Sequence, residues 1–175
     1  MSQQIGQYNL TRQLGKGQMG SAYKAVQRFE HPDGTVTLDT EELVVKVLRK
    51  EFALDAAYRT LFAEEAKQFK ELQIPNTAEI LDIVEEKEAL AIVTPFYKGR
   101  LLSSYIPRNG LPIAEALDIL EPLAEIIDQI HEKGMVHGNI TTQNVLLDNR
   151  GFVPILLDMG IHKNASWMGC IQPGP

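Results

Sequence analysis

The spacing of apolar residues divides this chain into a strand-rich first half and a helix-rich second half. Alternating or β-branched stretches at 8–14, 22–26 and 43–48 predict strands, and a glycine cluster joins the first two as a hairpin. Two more stretches, 80–85 and 89–93, predict a second hairpin across a charged turn. The pattern therefore indicates an antiparallel sheet in the first half.

Two helices are predicted from apolar residues that recur every three or four positions. In the first, at 54–73, the apolar positions are Ala57, Leu61, Phe62, Ala66, Phe69 and Leu72. In the second, at 113–133, they are Ala116, Leu117, Leu120, Leu123, Ile126, Ile127 and Ile130. Pro122 lies inside the second helix and lacks a backbone N–H, so we expect a kink or a later start there.

The end of the chain has weaker patterns. Residues 97–100 have the character of a connector, and 145–147 with 155–157 predict a last short hairpin. Residues 162–175 have no periodicity and are expected to form an irregular tail. The elements together predict an α+β fold.

The composition narrows the class of partner. A net charge of −6 argues against nucleic acid or an anionic membrane, because both are polyanions. Cys170 is the single cysteine, so no internal disulfide can form and a cytoplasmic setting is expected. The longest apolar run, 89–93, is too short to span a bilayer, and the N-terminus lacks the features of a signal peptide.

Three glycines with G-x-G-x-x-G spacing, Gly15, Gly17 and Gly20, lie between two predicted strands. A dinucleotide-binding turn requires a helix after the glycines, so this context favours a flap whose backbone amides cover phosphates. Taken alone, the motif is equally compatible with a tight turn that needs glycine for its backbone angles.

Four further motifs follow: a lysine on a predicted strand, a glutamate on the next helix, a His-x-x-x-x-x-x-Asn segment and an Asp-x-Gly segment. They are Lys46, Glu65, His137–Asn144 and Asp158–Gly160. With the glycine loop, in this order, they resemble the protein kinase family from Ile5 to about Ile161. His137–Asn139 is also similar to the His-Gly-Asp of small-molecule phosphotransferases, but the glycine loop favours the protein kinase branch.

The resemblance implies a kinase-like α+β fold, with an antiparallel-sheet N-lobe carrying one helix at 1–96 and a partial helical C-lobe at 97–161. It implies ATP and Mg²⁺ as cofactors. The residues it assigns to the nucleotide are Gly15, Gly17, Gly20, Ala22, Val44, Lys46, Glu65, Thr94, Tyr97 and Leu146, and those it assigns to the metal are Asn144 and Asp158. Glu64 is the near-equivalent alternative to Glu65, and Ala22 and Val44 exchange the sizes usual around the adenine ring.

The chain departs from the family at the catalytic positions. Asn139 stands where the family has its catalytic aspartate, Thr141 where serine/threonine kinases have a lysine, and Gly138 where an arginine is usual. No Ala-Pro-Glu segment follows Asp158–Gly160, so we expect the apolar face of the 113–133 helix to be covered by a protein partner, by self-association or by further chain.

Three hypotheses remain open, and so does whether the chain is an enzyme. The first is an ATP- and Mg²⁺-binding module that is catalytically silent or very weak and acts by binding a partner. The second is an active serine/threonine kinase with an atypical catalytic loop, completed by segments outside this sequence. The third is a structural remnant of the kinase fold that binds no nucleotide.

Overall fold

The computed structural model describes residues 3–17, 19–149 and 153–158. The chain forms two compact units, each with its own sheet. Unit 1 comprises Met1–Lys67 and Ile80–Phe96, and unit 2 comprises Gln68–Glu79 and Tyr97–Pro175.

Unit 1 is built on an antiparallel sheet with the spatial order β1-β2-β3-β5-β7-β6, and β4 pairs with the far end of β3. Its strands are β1 (Gln3–Ile5), β2 (Tyr8–Lys16), β3 (Gly20–Glu30), β4 (Val36–Leu38), β5 (Leu43–Leu48), β6 (Asp82–Glu85) and β7 (Leu90–Pro95). The structure confirms the predicted strands of this half. It adds β1 and β4, which at three residues each are too short to show a periodic pattern.

One face of this sheet forms the core of unit 1, because alternate residues of each strand point to it. The buried cluster comprises Ile5, Tyr8, Leu10, Ala25, Leu43, Val45, Val84, Ala91 and Val93. The Tyr8 hydroxyl donates a hydrogen bond of 2.8 Å to Oδ2 of Asp82, so the ring is buried without losing a partner for its oxygen. Burial and this carboxylate raise the pKa of Tyr8 to about 12.

Two helices follow β5: α1 (Lys50–Leu54) and α2 (Ala56–Leu72). The Asp55 carboxylate accepts the backbone N–H of Tyr58 at 2.8 Å and so caps the start of α2. The predicted 54–73 helix is confirmed, but the predicted apolar face is partly wrong. The predicted positions Phe62, Ala66 and Phe69 are buried, but Ala57 and Leu61 are exposed, and Tyr58 and Ala63 are buried in their place.

Unit 2 contains a second antiparallel sheet of order β10-β9-β8 and two helices. Its elements are β8 (Gly99–Leu101), α3 (Leu102–Tyr105), α4 (Ile113–Glu132), β9 (Val145–Asp148) and β10 (Pro154–Leu156). The predicted last hairpin is confirmed as β9 and β10. The predicted connector contains a strand, β8, which pairs closely with β9. Only glycine allows this approach, because a β-carbon on Gly99 would lie 2.4 Å from the carbonyl oxygen of Leu147.

Helix α4 begins at Ile113 and runs through Pro122, so the proline does not delay its start. It ends at Glu132, and the chain then turns at Gly134, which has a φ of +73° and whose N–H donates to the carbonyl of His131 at 2.8 Å. The helix packs against β10 with Ile119, Leu123, Ile126 and Ile130 buried. A different face carries three apolar residues that remain exposed: Ile113 is 81% exposed, Leu117 47% and Leu120 54%. Within the described ranges, no helix is both long and apolar enough to cross a lipid bilayer.

Candidate functional site

The strand register of unit 1 brings four predicted residues onto one face of the sheet. Ala22 of β3 lies directly opposite Lys46 of β5, and Val44 of β5 lies opposite Thr94 of β7. Val44 and Lys46 are two residues apart in one strand, so their side chains share a face, and this face is opposite the one that Val45 gives to the core. The result is a partly buried surface on which Lys46 lies among small side chains, and a second lysine, Lys24, lies opposite Val44 on the same face and pairs with Glu42.

The glycine loop next to this surface contains two kinds of glycine. A β-carbon on Gly20 would lie 2.1 Å from the carbonyl oxygen of Val47, so this position has no room for a side chain. On Gly15 the same atom would have nothing within 4 Å, and on Gly17 its nearest neighbour would be the Gly20 carbonyl at 3.9 Å. The first two glycines therefore keep the backbone open, whereas the third allows the loop to pack on β5.

Arg49, which directly follows β5, binds the backbone of this loop. The sequence did not predict this role. The backbone N–H of Arg49 donates to the carbonyl of Met19 at 2.9 Å, and its guanidinium Nη2 donates to the carbonyl of Gly17 at 3.2 Å. The turn is closed by a 2.8 Å bond from the Gly17 N–H to the Gly20 carbonyl. The sequence carries no signal for such a role, because the partners of the arginine in the loop are backbone atoms.

On α2, the structure distinguishes the two candidate glutamates by exposure. Glu64 is exposed, whereas Glu65 is partly buried next to the buried Ala66. A glutamate on the inner side of α2 is the better candidate for a fixed ionic partner, so the burial supports Glu65.

In unit 2, a buried histidine fixes the segment before Asn139. His137 is 1% exposed, its Nε2–H donates to the carbonyl of Leu157 at 3.0 Å, and its Nδ1 accepts the N–H of Asn139 at 3.2 Å. Since one ring nitrogen donates and the other accepts, the imidazole is neutral with its proton on Nε2. The Leu157 N–H donates in turn to the carbonyl of Asn144 at 2.7 Å, which ties both ends of the loop to one residue.

The same loop brings three predicted residues together. The Asn144 side-chain Nδ2 donates to the carbonyl of Asn139 at 2.9 Å, and the Asn139 Nδ2 donates to Oδ2 of Asp158 at 3.3 Å. Asp158 has a φ of +59°, a left-handed backbone that a non-glycine residue adopts only where its surroundings hold it. The segment thus presents one amide oxygen, from Asn144, and one carboxylate, from Asp158.

These two oxygen donors fit a divalent cation of the Mg²⁺ type, which takes oxygen ligands and is usually held by one or two carboxylates with phosphate oxygens and water. No group of three or more His, Cys, Asp or Glu among the described residues would bind a metal alone. The donor set therefore fits a metal that arrives with a phosphate ligand better than a metal held entirely by protein.

The other predicted residues of unit 2 are placed as follows. Leu146 is buried in β9, and Thr141 and Gly138 are exposed, Gly138 with a φ of +72°. The Tyr97 hydroxyl accepts the backbone N–H of Glu79 at 3.2 Å, and burial raises the pKa of this tyrosine. Residues 159–160 of the Asp-x-Gly motif and the tail from 162 lie outside the described residues.

Comparison with known proteins decides the family. The model of the protein tyrosine and serine/threonine kinase family matches residues 8–168. The chain belongs to the protein kinase family. It is 33% identical over 157 residues to the serine/threonine-protein kinase PrkC of Bacillus subtilis, a match that covers 89% of this chain and 23% of PrkC. It is 32% identical to the probable serine/threonine-protein kinase PknB of Lactococcus lactis, covering 91% of this chain and 24% of the relative.

Solved structures agree with this family. The crystal structure of the Mycobacterium tuberculosis PknI kinase domain superposes with a TM-score of 0.69 at 27% identity, covering 91% of this chain and 62% of that one. The predicted kinase-like α+β fold, with a sheet-based N-lobe and a partial C-lobe, is confirmed. The chain spans about a quarter of the length of PrkC and PknB.

Proposed function

We propose that this protein kinase relative is a module that binds ATP with Mg²⁺, transfers phosphate very slowly or not at all, and acts by binding a partner. The observation that carries the proposal is the hydrogen bond from the Asn139 amide to Asp158. An amide occupies the position of the catalytic base, while the oxygen donors for a metal remain beside it.

The nucleotide part of the proposal rests on unit 1. Lys46 lies on the sheet face with Ala22, Val44 and Thr94, and a lysine there offers a cation to phosphate oxygens. Gly15 and Gly17 leave backbone without side chains, which suits close approach of a phosphate group to amide N–H groups. Glu65 is the carboxylate that we assign to Lys46 as its ionic partner.

The metal part rests on unit 2. Asn144 through its amide oxygen and Asp158 through its carboxylate would hold Mg²⁺, which when bound neutralises the charge of the phosphates. His137 supports both residues indirectly. Its ring binds Asn139, which contacts both Asn144 and Asp158. It also binds Leu157, which contacts the Asn144 carbonyl and immediately precedes Asp158.

The proposed lack of turnover follows from the chemistry of three positions. The Asn139 amide has no basicity near neutral pH, and loss of a general base costs ~10²–10⁴-fold in rate. Thr141 offers no charge to a transferred phosphoryl group. Gly138 offers no guanidinium to a phosphorylated segment, and its positive φ is strained for any residue with a side chain.

The partner part rests on α4. Its exposed residues Ile113, Leu117 and Leu120 are spaced at i, i+4 and i+7 and so form one apolar stripe. A contiguous apolar stripe of this kind usually marks an interaction surface, for another protein or a second copy. A cytoplasmic location, based on the single cysteine and the acidic composition, belongs to the same proposal.

Thermal melting with millimolar Mg-ATP tests nucleotide binding directly. A ligand at 100 times its Kd stabilises the folded state by about 2.7 kcal/mol, so binding raises the melting temperature by several degrees. An unchanged melting temperature would reject the proposal and leave the structural remnant as the better description.

The active-kinase alternative is favoured by the names of the relatives, several of which are serine/threonine-protein kinases. Incubation with radiolabelled ATP and a generic protein substrate separates the two functions. Incorporation at ordinary kinase rates by the unmodified chain would establish the alternative. No incorporation, followed by measurable incorporation in Asn139→Asp, would show that the amide is the block.

A further inference from the structure

The contact between Asn139 and Asp158 has a second consequence, which concerns the cation. The amide donates a hydrogen bond to the carboxylate that we assign to the metal, at 3.3 Å. We infer that Asn139 positions Asp158 without a metal, so that nucleotide binding in this chain depends little on a divalent cation. This inference rests on the proposed function and specifies how its site responds to Mg²⁺.

A continuous set of hydrogen bonds supports Asp158. Asn139 receives support from both sides, since its N–H donates to His137 at 3.2 Å and its carbonyl accepts Nδ2 of Asn144 at 2.9 Å. The Leu157 carbonyl is bound by the His137 ring at 3.0 Å, immediately before Asp158. These contacts support Asp158 and its left-handed backbone with groups of the chain itself, so we expect Asp158 to keep its position when the cation is withheld.

The number of negative charges beside Asp158 also affects how much the site depends on a cation. An aspartate at position 139 would place a second carboxylate about as far from Asp158 as the present 3.3 Å contact, with no proton to share in a hydrogen bond. Two like charges at this separation repel strongly, and a divalent cation relieves the repulsion. The amide removes one negative charge and supplies a donor, so Asp158 contributes a single carboxylate to the proposed metal site. Withholding the cation therefore weakens nucleotide binding less than it does when two carboxylates are present.

Two substitutions distinguish the effect of the hydrogen-bond donor from the effect of the charge. Asn139→Asp removes the donor and adds a charge, whereas Asn139→Ala removes the donor alone. Asn109→Asp is the matched control, because it makes the same amide-to-acid change in unit 2 on an exposed turn, where Gly110 closes on the carbonyl of Pro107 at 3.0 Å.

The experiment uses the full chain and two measurements. Melting without nucleotide, in EDTA and in Mg²⁺, reports on the contact itself. Titration with a fluorescent methylanthraniloyl-ATP, again with and without Mg²⁺, reports on the cation dependence of binding.

In EDTA, both Asn139 variants are expected to melt several degrees below the parent chain and the Asn109 control, and Mg²⁺ is expected to restore only Asn139→Asp. Removal of Mg²⁺ is expected to weaken nucleotide binding at least about tenfold more in Asn139→Asp than in the parent chain. Asn139→Ala is expected to have a cation dependence between those of the parent and Asn139→Asp, because it loses the donor that positions Asp158 but adds no charge.

Equal cation dependence of the parent and Asn139→Asp overturns the inference, as does an unchanged melting temperature of both Asn139 variants in EDTA. If the parent chain binds no nucleotide under either condition, the proposed function fails instead. The EDTA melts then still decide whether Asn139 holds Asp158, so the two failures are distinguishable.

Discussion

The α-carbon of Gly20 lies so close to the carbonyl oxygen of Val47 that a β-carbon placed on it would be 2.1 Å away. In the same motif, Gly15 has no atom within 4 Å of that position. One glycine of the loop is therefore required by packing, and another is required only if a ligand must approach the backbone.

Gly20→Ala is expected to destabilise the chain, since the β-carbon must displace the backbone of β5. Overpacking of this kind costs about 1–3 kcal/mol in the free energy of unfolding, which urea denaturation measures. Gly15→Ala is the control and is expected to change that free energy by less than about 1 kcal/mol. Equal destabilisation by the two substitutions would contradict the packing role of Gly20.

Lys46→Met is expected to remove most of the melting-temperature increase caused by Mg-ATP, because it deletes the lysine that lies directly opposite Ala22 on the proposed nucleotide face. Lys50→Met is the matched control, since Lys50 pairs with Glu88 where both side chains are more than 60% exposed. An exposed pair contributes at most about 1 kcal/mol, so this control is expected to respond to nucleotide like the parent. A full nucleotide shift in Lys46→Met would remove Lys46 from the site.

The contribution of Tyr8 to the free energy of unfolding is expected to depend on pH in the alkaline range. Its pKa is about 12 in the folded chain against 10.0 for an ordinary tyrosine, because of burial and the Asp82 carboxylate. Between these two values the unfolded chain has released the proton and the folded chain retains it, so this contribution to stability is complete below pH 10 and declines towards pH 12.

Tyr8→Phe is therefore expected to be less stable than the parent at pH 8 and to lose less stability between pH 8 and pH 11, as measured by urea denaturation. Comparison of the two chains cancels the titration of the remaining tyrosines and lysines. Parallel pH profiles for the two chains would show that Tyr8 is not the responsible group.

Substitutions on the two faces of α4 are expected to change different properties. Those on the exposed face change association, and those on the buried face change the free energy of unfolding. Replacing both Leu117 and Leu120 by Gln leaves the unfolding free energy almost unchanged, since both side chains are about half exposed, and reduces self-association and binding of a hydrophobic dye. Ile126→Ala costs about 2–5 kcal/mol, because Ile126 is 2% exposed. Sedimentation velocity of the parent and the double variant is the decisive measurement, and identical profiles with identical dye binding would argue against an interaction surface.

Periodicity predicted the long elements well, because β2, β5 and α4 each contain enough residues to repeat a pattern. It predicted the buried face of α2 only in part, since Phe62, Ala66 and Phe69 are buried but Ala57 and Leu61 are not. Ala57 and Tyr58 are adjacent and both compatible with a helical stripe, and the choice between them depends on tertiary contacts. The three-residue strand β8 was missed for a related reason, since it exists through its pairing with β9.

The candidate site was predictable where its residues belong to a motif of known order, as with Lys46 and Asp158. The role of Arg49 was not, because it binds the carbonyls of Gly17 and Met19 and backbone atoms leave no trace in the sequence. The hydrogen bond between Asn139 and Asp158 also needed coordinates, since the residues are 19 positions apart.

His137 gives the catalytic-loop segment an internal reporter. A ring N–H that is buried and donated to the Leu157 carbonyl exchanges slowly with water, so it gives its own proton resonance in an NMR spectrum. That resonance requires one tautomer and one ring orientation, and it disappears when the loop opens. The state of the segment from His137 to Asp158 can thus be followed in solution through a single nucleus, without a bound nucleotide and without a catalytic assay.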